Sequence, residues 1–347
     1  MKNNFNILGA VFCLFGFYLL IAQPVQAGST VEAIKARGAV NCGVTDSQSA
    51  FARIDQNGNW IGFDVEFCRA ISAAVLGTPE SINLVPLGTS MRFDAVLQGD
   101  VDVLLRNTTW TLTRDAKMDL DFAGITYFDG QGFIARKTLK ATKAVDLKDR
   151  ALSVCVIKNT TSYQNLKDFI KISGYPWKIE AYETFEGSHQ ALFQNICDMF
   201  TTDVTALLSL QSSYPAYSTE FSVLSDVISR EPLGPAVRND DRQWFDIVKW
   251  VVQAIILAED LKLNSVNVDQ MSDMITNLEA KRLLGLEPGL GQALGLDDRW
   301  GYRVVKMVGN YAEIYDRNFG KESALNLQRT LNKLWSDGGL LYPLPFK

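Results

Sequence analysis

The stretch RNTTWTLTRD, residues 106–115, places an amide, four threonine hydroxyls and two guanidiniums in ten positions directly after the apolar run VDVLL. A second polar cluster, Asn159-Thr160-Thr161-Ser162, follows the apolar run ALSVCVIK, and the run CDMFTTD ends on Asp203. Backbone N–H groups and hydroxyls that open a helix form an anion site. Arg114 adds a planar two-donor fork matched to a carboxylate, and Asp203 is an acceptor suited to an ammonium. A carboxylate clamp on one side and an ammonium acceptor on the other describe a zwitterion site. Plainer readings exist for each group. Arg114 can pair at the surface with Asp115 or Asp119, Asp203 can cap the helix after it, and Asn107 and Asn159 each begin a glycosylation-type triplet, although a strand end in a cleft is a poor acceptor.

These residues need strand ends to hold them, and the pattern supplies such ends. Short β-rich runs alternate with helical patterns, the signature of a mostly parallel α/β fold. AVNCGV, INLVPL and VDVLL read as strands, and FARIDQNGNWIGFDV as a hairpin turning at Asn57-Gly58. Helices are expected at about residues 64–76 and in RFDAVLQGD. A glycine-punctuated crossing at residues 128–133 leads to a second set: ALSVCVI, WKIEAYE and CDMFTTD as strands, SYQNLKDFIKIS and HQALFQNI as helices. A second crossing, residues 231–236, precedes the amphipathic helix RQWFDIVKWVVQAIILAEDL. From about residue 261 the chain reads as further helices, including EAKRLLG, RWGYRVVKMVGNYAEIYDRNFG and ALNLQRTLNKLW. Two lobes joined by two crossings enclose a cleft, and ligands of open α/β sheets bind outside the carboxyl ends of strands. The expected division is residues 28–129 with 234–347 as lobe 1, including the helical extension, and 130–233 as lobe 2.

The first 27 residues carry one lysine, an apolar stretch and the small-x-small ending Val25-Gln26-Ala27, which reads as a secretory signal peptide cleaved after Ala27. An uncleaved membrane anchor is the competing reading. Cys13 lies inside the apolar stretch, without the small residues a lipobox needs before it, and is expected to leave with the signal. The mature chain, about 320 residues, is long enough for two domains. A formal net charge of -5 gives no nucleic-acid footprint. Four cysteines remain, Cys42, Cys68, Cys155 and Cys197, and an exported chain with an even count suggests disulfides; four cysteines allow three pairings. Pairing within each half, 42 with 68 and 155 with 197, closes the shorter loops and leaves the halves free to move. Buried reduced thiols are the alternative.

The chain resembles the periplasmic solute-binding proteins of the polar amino-acid ABC importers (family 3), closest to the general L-amino-acid-binding subgroup. GFDVEFCRAI, RFDAVLQGDVDVL, RNTTWTLTRD, LDFAGITYFDGQGF, SVCV, CDMFTTD, EPLGPAVR, QWFDIVKW and WGYRVVKMVGNYAEIYDRN carry the resemblance, from about Val31 to the end. It implies a two-lobed Venus-flytrap fold with two hinge crossings. It also implies an extracytoplasmic, monomeric receptor in the periplasm that captures an L-amino acid and delivers it to membrane permease subunits. The family's polar motif falls on Asn107, Thr109, Thr111 and Arg114. By that resemblance Arg114 grips the α-carboxylate and Thr109 gives its amide to the carboxylate and its hydroxyl to the ammonium. Asn107 adds a carbonyl for the ammonium, Thr161 binds the carboxylate and Asp203 the ammonium. Two departures bear on selectivity: Asn159 stands where glycine is usual, a position asparagine can fill because it tolerates left-handed angles, and Gln48 stands near the usual aromatic lid, with Phe51 as a neighbour. Arg106 either reaches an acidic ligand side chain or makes a structural ion pair.

The competing function class is an enzyme on the same scaffold, dehydratase- or lyase-like, which needs a positioned acid or base. His189, the single histidine, lies in the polar EGSHQAL and reads as a solvated residue. The sequence has no nucleophile elbow, glycine-rich phosphate loop or cysteine-histidine metal cluster, so no catalytic residue, cofactor or metal is expected.

Overall fold

Runs such as VNCGVT and SVCVI are apolar on both faces, as strands buried between helix layers must be, and they form the centres of two five-stranded sheets. The computed structural model describes residues 29–274 and 276–347; the expected signal peptide, residues 1–27 with Cys13, lies outside them. In the first sheet Val40–Thr45 lies between Ile82–Leu87 and Val103–Leu104, parallel to both, and the chain returns much later to add Ala236–Arg238 antiparallel between Val103–Leu104 and Leu120–Phe122. The second sheet repeats this plan: Ser153–Ile157 is parallel to Lys178–Tyr182 and Met199–Asp203, and Gln131–Arg136 and Phe221–Val223 complete it antiparallel. The fold is therefore two-lobed α/β.

Two short antiparallel strands, Tyr127–Asp129 and Glu231–Leu233, carry the chain between the sheets. Gly234 is required here, because a Cβ would meet the Gly124 carbonyl oxygen at 2.0 Å. The helix Phe63–Leu76 packs Phe63 and Phe67 inward and ends at Gly77 in the left-handed conformation, φ 82°, the usual helix stop. Phe63 joins Phe51, Tyr127 and Phe319 in an aromatic cluster whose rings meet at centroid distances of 4.8–6.2 Å. Phe51 is 1% exposed.

The C-terminal extension departs from its expected helices. RWGYRVVKMVGNYAEIYDRNFG is two helices, Trp300–Met307 and Tyr311–Asn318, broken where Gly309 takes φ 106° and Asn310 with Glu313 forms a capping box. ALNLQRTLNKLW keeps only a 3-10 turn, Thr330–Asn332. Its helical period loses to tertiary contacts: the Arg329 guanidinium pairs with both Glu259 oxygens, and Asn332 bonds both the N–H and the carbonyl of Phe128. Tyr311 donates to the Thr126 carbonyl, so the extension is fastened to the first crossing. In the second lobe the helix expected at HQALFQNI begins earlier, spanning Phe185–Phe193, because Thr184 caps it by accepting from the Gly187 N–H. His189 is buried rather than solvated, held between the Tyr217 hydroxyl and the Glu186 carboxylate.

The disulfides pair as expected within the lobes. Cys42–Cys68 ties a sheet strand to the helix packed on it, and Cys155–Cys197 ties a second-sheet strand to the approach of its neighbour, with Cα–Cα separations of 6.3 and 5.8 Å. The loops they close span 26 and 42 residues. Chain entropy assigns roughly 3.5 and 4 kcal/mol to these cross-links. Replacing Cys155 and Cys197 together by serine should therefore lower the unfolding free energy in urea by about that amount. A midpoint unchanged at equal denaturant slope would remove this bond from the account of stability.

Candidate functional site

The loop after Val103–Leu104 is pinned before its side chains are considered. Trp110 donates its N–H to the Pro232 carbonyl, Gly234 donates to Thr108, and Asn107 donates its N–H to the buried Asp64 carboxylate at 2.8 Å. Asn107 takes φ 38°, a left-handed angle asparagine tolerates. Thr111 caps the short helix Leu112–Lys117 by accepting from the Arg114 N–H, which explains the spacing of threonine and arginine in the motif. The Arg114 side chain turns back and donates to the Thr109 carbonyl at 2.7 Å. Thr109 donates its hydroxyl to Glu231 on the second crossing, also at 2.7 Å, leaving its lone pairs free to accept.

The opposite wall comes from the second sheet. Thr160 caps the helix Thr161–Ser173, and Asn159 before it takes φ 58°, so asparagine fills the left-handed position where glycine is usual. The strand Met199–Asp203 ends on Asp203, which stands at the N-cap position of Val204–Ser213 yet makes no side-chain cap bond. The capping reading of Asp203 fails on this point, and its carboxylate is left to face the cleft.

The two walls meet around an interlobe cavity of about 30 Å³. Gln48, Arg106, Asn107, Thr109 and Arg114 line it from the first lobe, and Thr161 and Asp203 from the second. Phe51 does not reach it; that expectation is corrected, since the ring is committed to the aromatic core. Thr160 and Ser162, from the polar cluster after ALSVCVIK, line the cavity too, and so do Thr89, Arg92, Ile157 and Thr202, which were not singled out from the sequence. Arg92 is 4% exposed, and its Nε has no hydrogen-bond partner among the described residues; the same holds for Asn107 Oδ1. One is a donor and the other an acceptor, as a zwitterion requires. A space of this size holds on the order of two waters, so an amino acid enters only when the walls separate. They are latched across the cleft by Ser49 and Ser209, 2.8 Å apart.

Charge is arranged in layers. Arg92, Arg106 and Arg114 converge on Asp203, with Asp129 and Glu231 behind it. The Phe93 ring is within cation–π reach of two of the guanidiniums, its centroid 4.6 Å from Arg92 and 5.2 Å from Arg114. Burial, then the neighbouring Asp129 and Glu231, push the Asp203 carboxyl well above its ordinary range, against the pull of Arg114 and Arg92. Burial also lowers Arg106, to about 10, and pushes Arg92 well below its ordinary value; arginine remains protonated at neutral pH regardless. Arg106 is committed partly to structure: its Nε donates to the Leu87 carbonyl and Nη2 to Thr89, and Asp46 lies 4.0 Å away. A relay of half-buried Asn165 with buried Gln131 and Glu231 joins the second wall to the crossing and to Thr109. Among the described residues no group of side chains has the make-up of a metal site, and no helix is long and apolar enough to cross a membrane.

The model of the bacterial extracellular solute-binding proteins, family 3, matches residues 40–265. The chain belongs to that family. Over 331 residues it is 41% identical to the general L-amino acid-binding periplasmic protein AapJ of Rhizobium johnstonii, covering 95% of this chain and 96% of the relative. It is 39% identical over 336 residues to the glutamate/glutamine/aspartate/asparagine-binding protein BztA of Rhodobacter capsulatus, covering 96% and 98%. Among solved structures, an ABC transporter/periplasmic binding protein from Brucella ovis with glutathione bound superposes with a TM-score of 0.87 at 38% identity, covering 92% of this chain and 99% of that one. Likeness at this coverage extends through the C-terminal extension, beyond the segment the family model matches.

Proposed function

We propose that this family-3 solute-binding protein is the monomeric, periplasmic receptor of an ABC importer, closing on an L-amino acid and delivering it to membrane permease subunits. Lobe 1 is residues 28–129 with 234–347, and lobe 2 is residues 130–233. One observation carries the reading: Arg114 from one lobe and Asp203 from the other bring opposite charges to one buried interlobe cavity whose wall also holds an unpartnered donor and acceptor. Arg114, with the N–H groups of Thr109 and Thr161, takes the α-carboxylate. Asp203, the Thr109 hydroxyl and the Asn107 carbonyl take the ammonium.

Side-chain preference follows from charge. With the α-carboxylate on Arg114 and the ammonium on Asp203, Arg92 and Arg106 leave positive charge at the side-chain end, which favours an acidic or amide side chain. The names of the AapJ and BztA relatives support an amino-acid ligand, and the name of BztA supports that preference. Those relatives are named as binding proteins, which supports a receptor over an enzyme.

A thermal-shift panel of the twenty amino acids tests the reading. Ligand at 100 times its Kd stabilises the folded chain by about 2.7 kcal/mol, so glutamate, aspartate, glutamine and asparagine should raise the melting temperature most, and lysine and arginine least. A flat panel at millimolar ligand sinks the proposal.

A further inference from the structure

A second space of about 620 Å³ lies beside the cavity and, like it, has walls from both lobes. The partition between them is thin. Gln48 lines the cavity, while Ser47 and Ser49 on either side of it line the outer groove, and Thr89 lines both. Arg106 completes the partition by donating to Thr89 on one side and lying 4.0 Å from Asp46, a groove residue, on the other. Gln48 is held by the Asn107 Nδ2 donor, 2.9 Å from its Oε1. Thr89 lines both spaces and Gln48 stands between two groove residues, whereas neither Arg114 nor Asp203 lines the groove.

We infer that the outer groove is a second ligand subsite, and that the chain accepts amino acids whose side chain continues through an amide, such as side-chain-linked peptides of glutamate carrying a terminal carboxylate. The inference rests on the amino-acid reading above. The groove offers hydroxyls from Ser47, Ser49 and Thr184 to an amide, and the apolar faces of Trp60 and Tyr214 to its carbon chain. Its single cation among the lining residues is Arg53, which is exposed, bonds the Ser49 carbonyl at 2.9 Å and makes no salt bridge among the described residues, while the two lining carboxylates have other partners, Asp46 facing Arg106 at 4.0 Å and Glu186 bonded to His189 at 2.7 Å. A guanidinium in that state fits a carboxylate. Because the groove has a wall from each lobe, an extended ligand would also be gripped on closure.

Calorimetry on the full mature chain decides the matter with three probes: L-glutamine, γ-L-glutamylglycine and α-L-glutamylglycine. The γ-linked peptide should bind within tenfold of glutamine, and the α-linked peptide, whose glutamyl carboxylate is blocked, should not bind. Arg53→Glu and Ser47→Trp, which repel or fill the groove, should each weaken the γ-linked peptide at least fivefold and change glutamine less than twofold, with melting temperature confirming the fold. Glutamine binding without the γ-linked peptide, or a γ-linked peptide indifferent to both variants, overturns the groove assignment while leaving the amino-acid reading intact. Equal binding of the α-linked peptide, or no binding of glutamine and its relatives, overturns that reading and the groove with it.

Discussion

Arg114→Ala is expected to weaken every amino acid the protein binds by roughly 30-fold to several thousand-fold, the equivalent of about 2–5 kcal/mol. The cost is large because truncation strands a desolvated carboxylate in a closed cavity as well as removing a charge-assisted pair. Arg114 is 7% exposed, and its guanidinium is already aimed by the Thr109 carbonyl, so little ordering entropy is lost when the ligand arrives. The effect should be uniform across ligands, since the α-carboxylate is common to all of them. Gln48→Ala should act differently, reordering the ligands, because Gln48 lies at the partition near the side-chain end. Calorimetry with several amino acids separates the two; full affinity in Arg114→Ala would leave RNTTWTLTRD without its explanation.

How far the site could be read from sequence depends on how local each signal is. Asn107, Thr109 and Arg114 sit in one loop after a strand end, so a polar clamp with an arginine fork could be read there from ten residues, whereas the roles given to Asn107 and Thr109 come from the family resemblance. Arg92 was missed for the opposite reason. In RFDAVLQGD it looks like any charged residue at a helix start, and only the packing of that helix on the first sheet, at the cavity it shares with the second lobe, brings it beside Arg106 and Asp203. Phe51 erred the other way: its distance from Gln48 in sequence suggested the cleft, but an aromatic next to a cleft loop is equally suited to the core, and three rings claimed it. In ALNLQRTLNKLW the helical period is real, yet Arg329 and Asn332 find buried partners on distant elements, and such contacts outweigh a propensity worth tenths of a kcal/mol per residue. The lobes were legible because the alternation of strand and helix stops at each crossing.

Asp203→Ala is expected to cost a similar 2–5 kcal/mol by stranding the ammonium, and pH makes its signature distinct from that of Arg114. Without an ammonium beside it the Asp203 carboxyl is held well above the ordinary carboxylate range, by burial first and by Asp129 and Glu231 second. An ammonium ion in contact favours the carboxylate and draws that value down. Ligand capture therefore releases a proton wherever the pH lies between the lowered value and the raised one. Affinity should rise with pH across that window and level off above it. The ligand's own carboxyls titrate at or below about 4.3 in the unperturbed state, so a slope that persists above about pH 6 belongs to the protein. In Asp203→Asn the carbonyl acceptor remains while the titrating charge is gone, so affinity should be low and the part of the slope due to this residue should vanish. Calorimetry in two buffers of different ionisation enthalpy counts the protons directly; an unchanged proton release in Asp203→Asn would transfer the titration to Asp129 and remove Asp203 from the ammonium site.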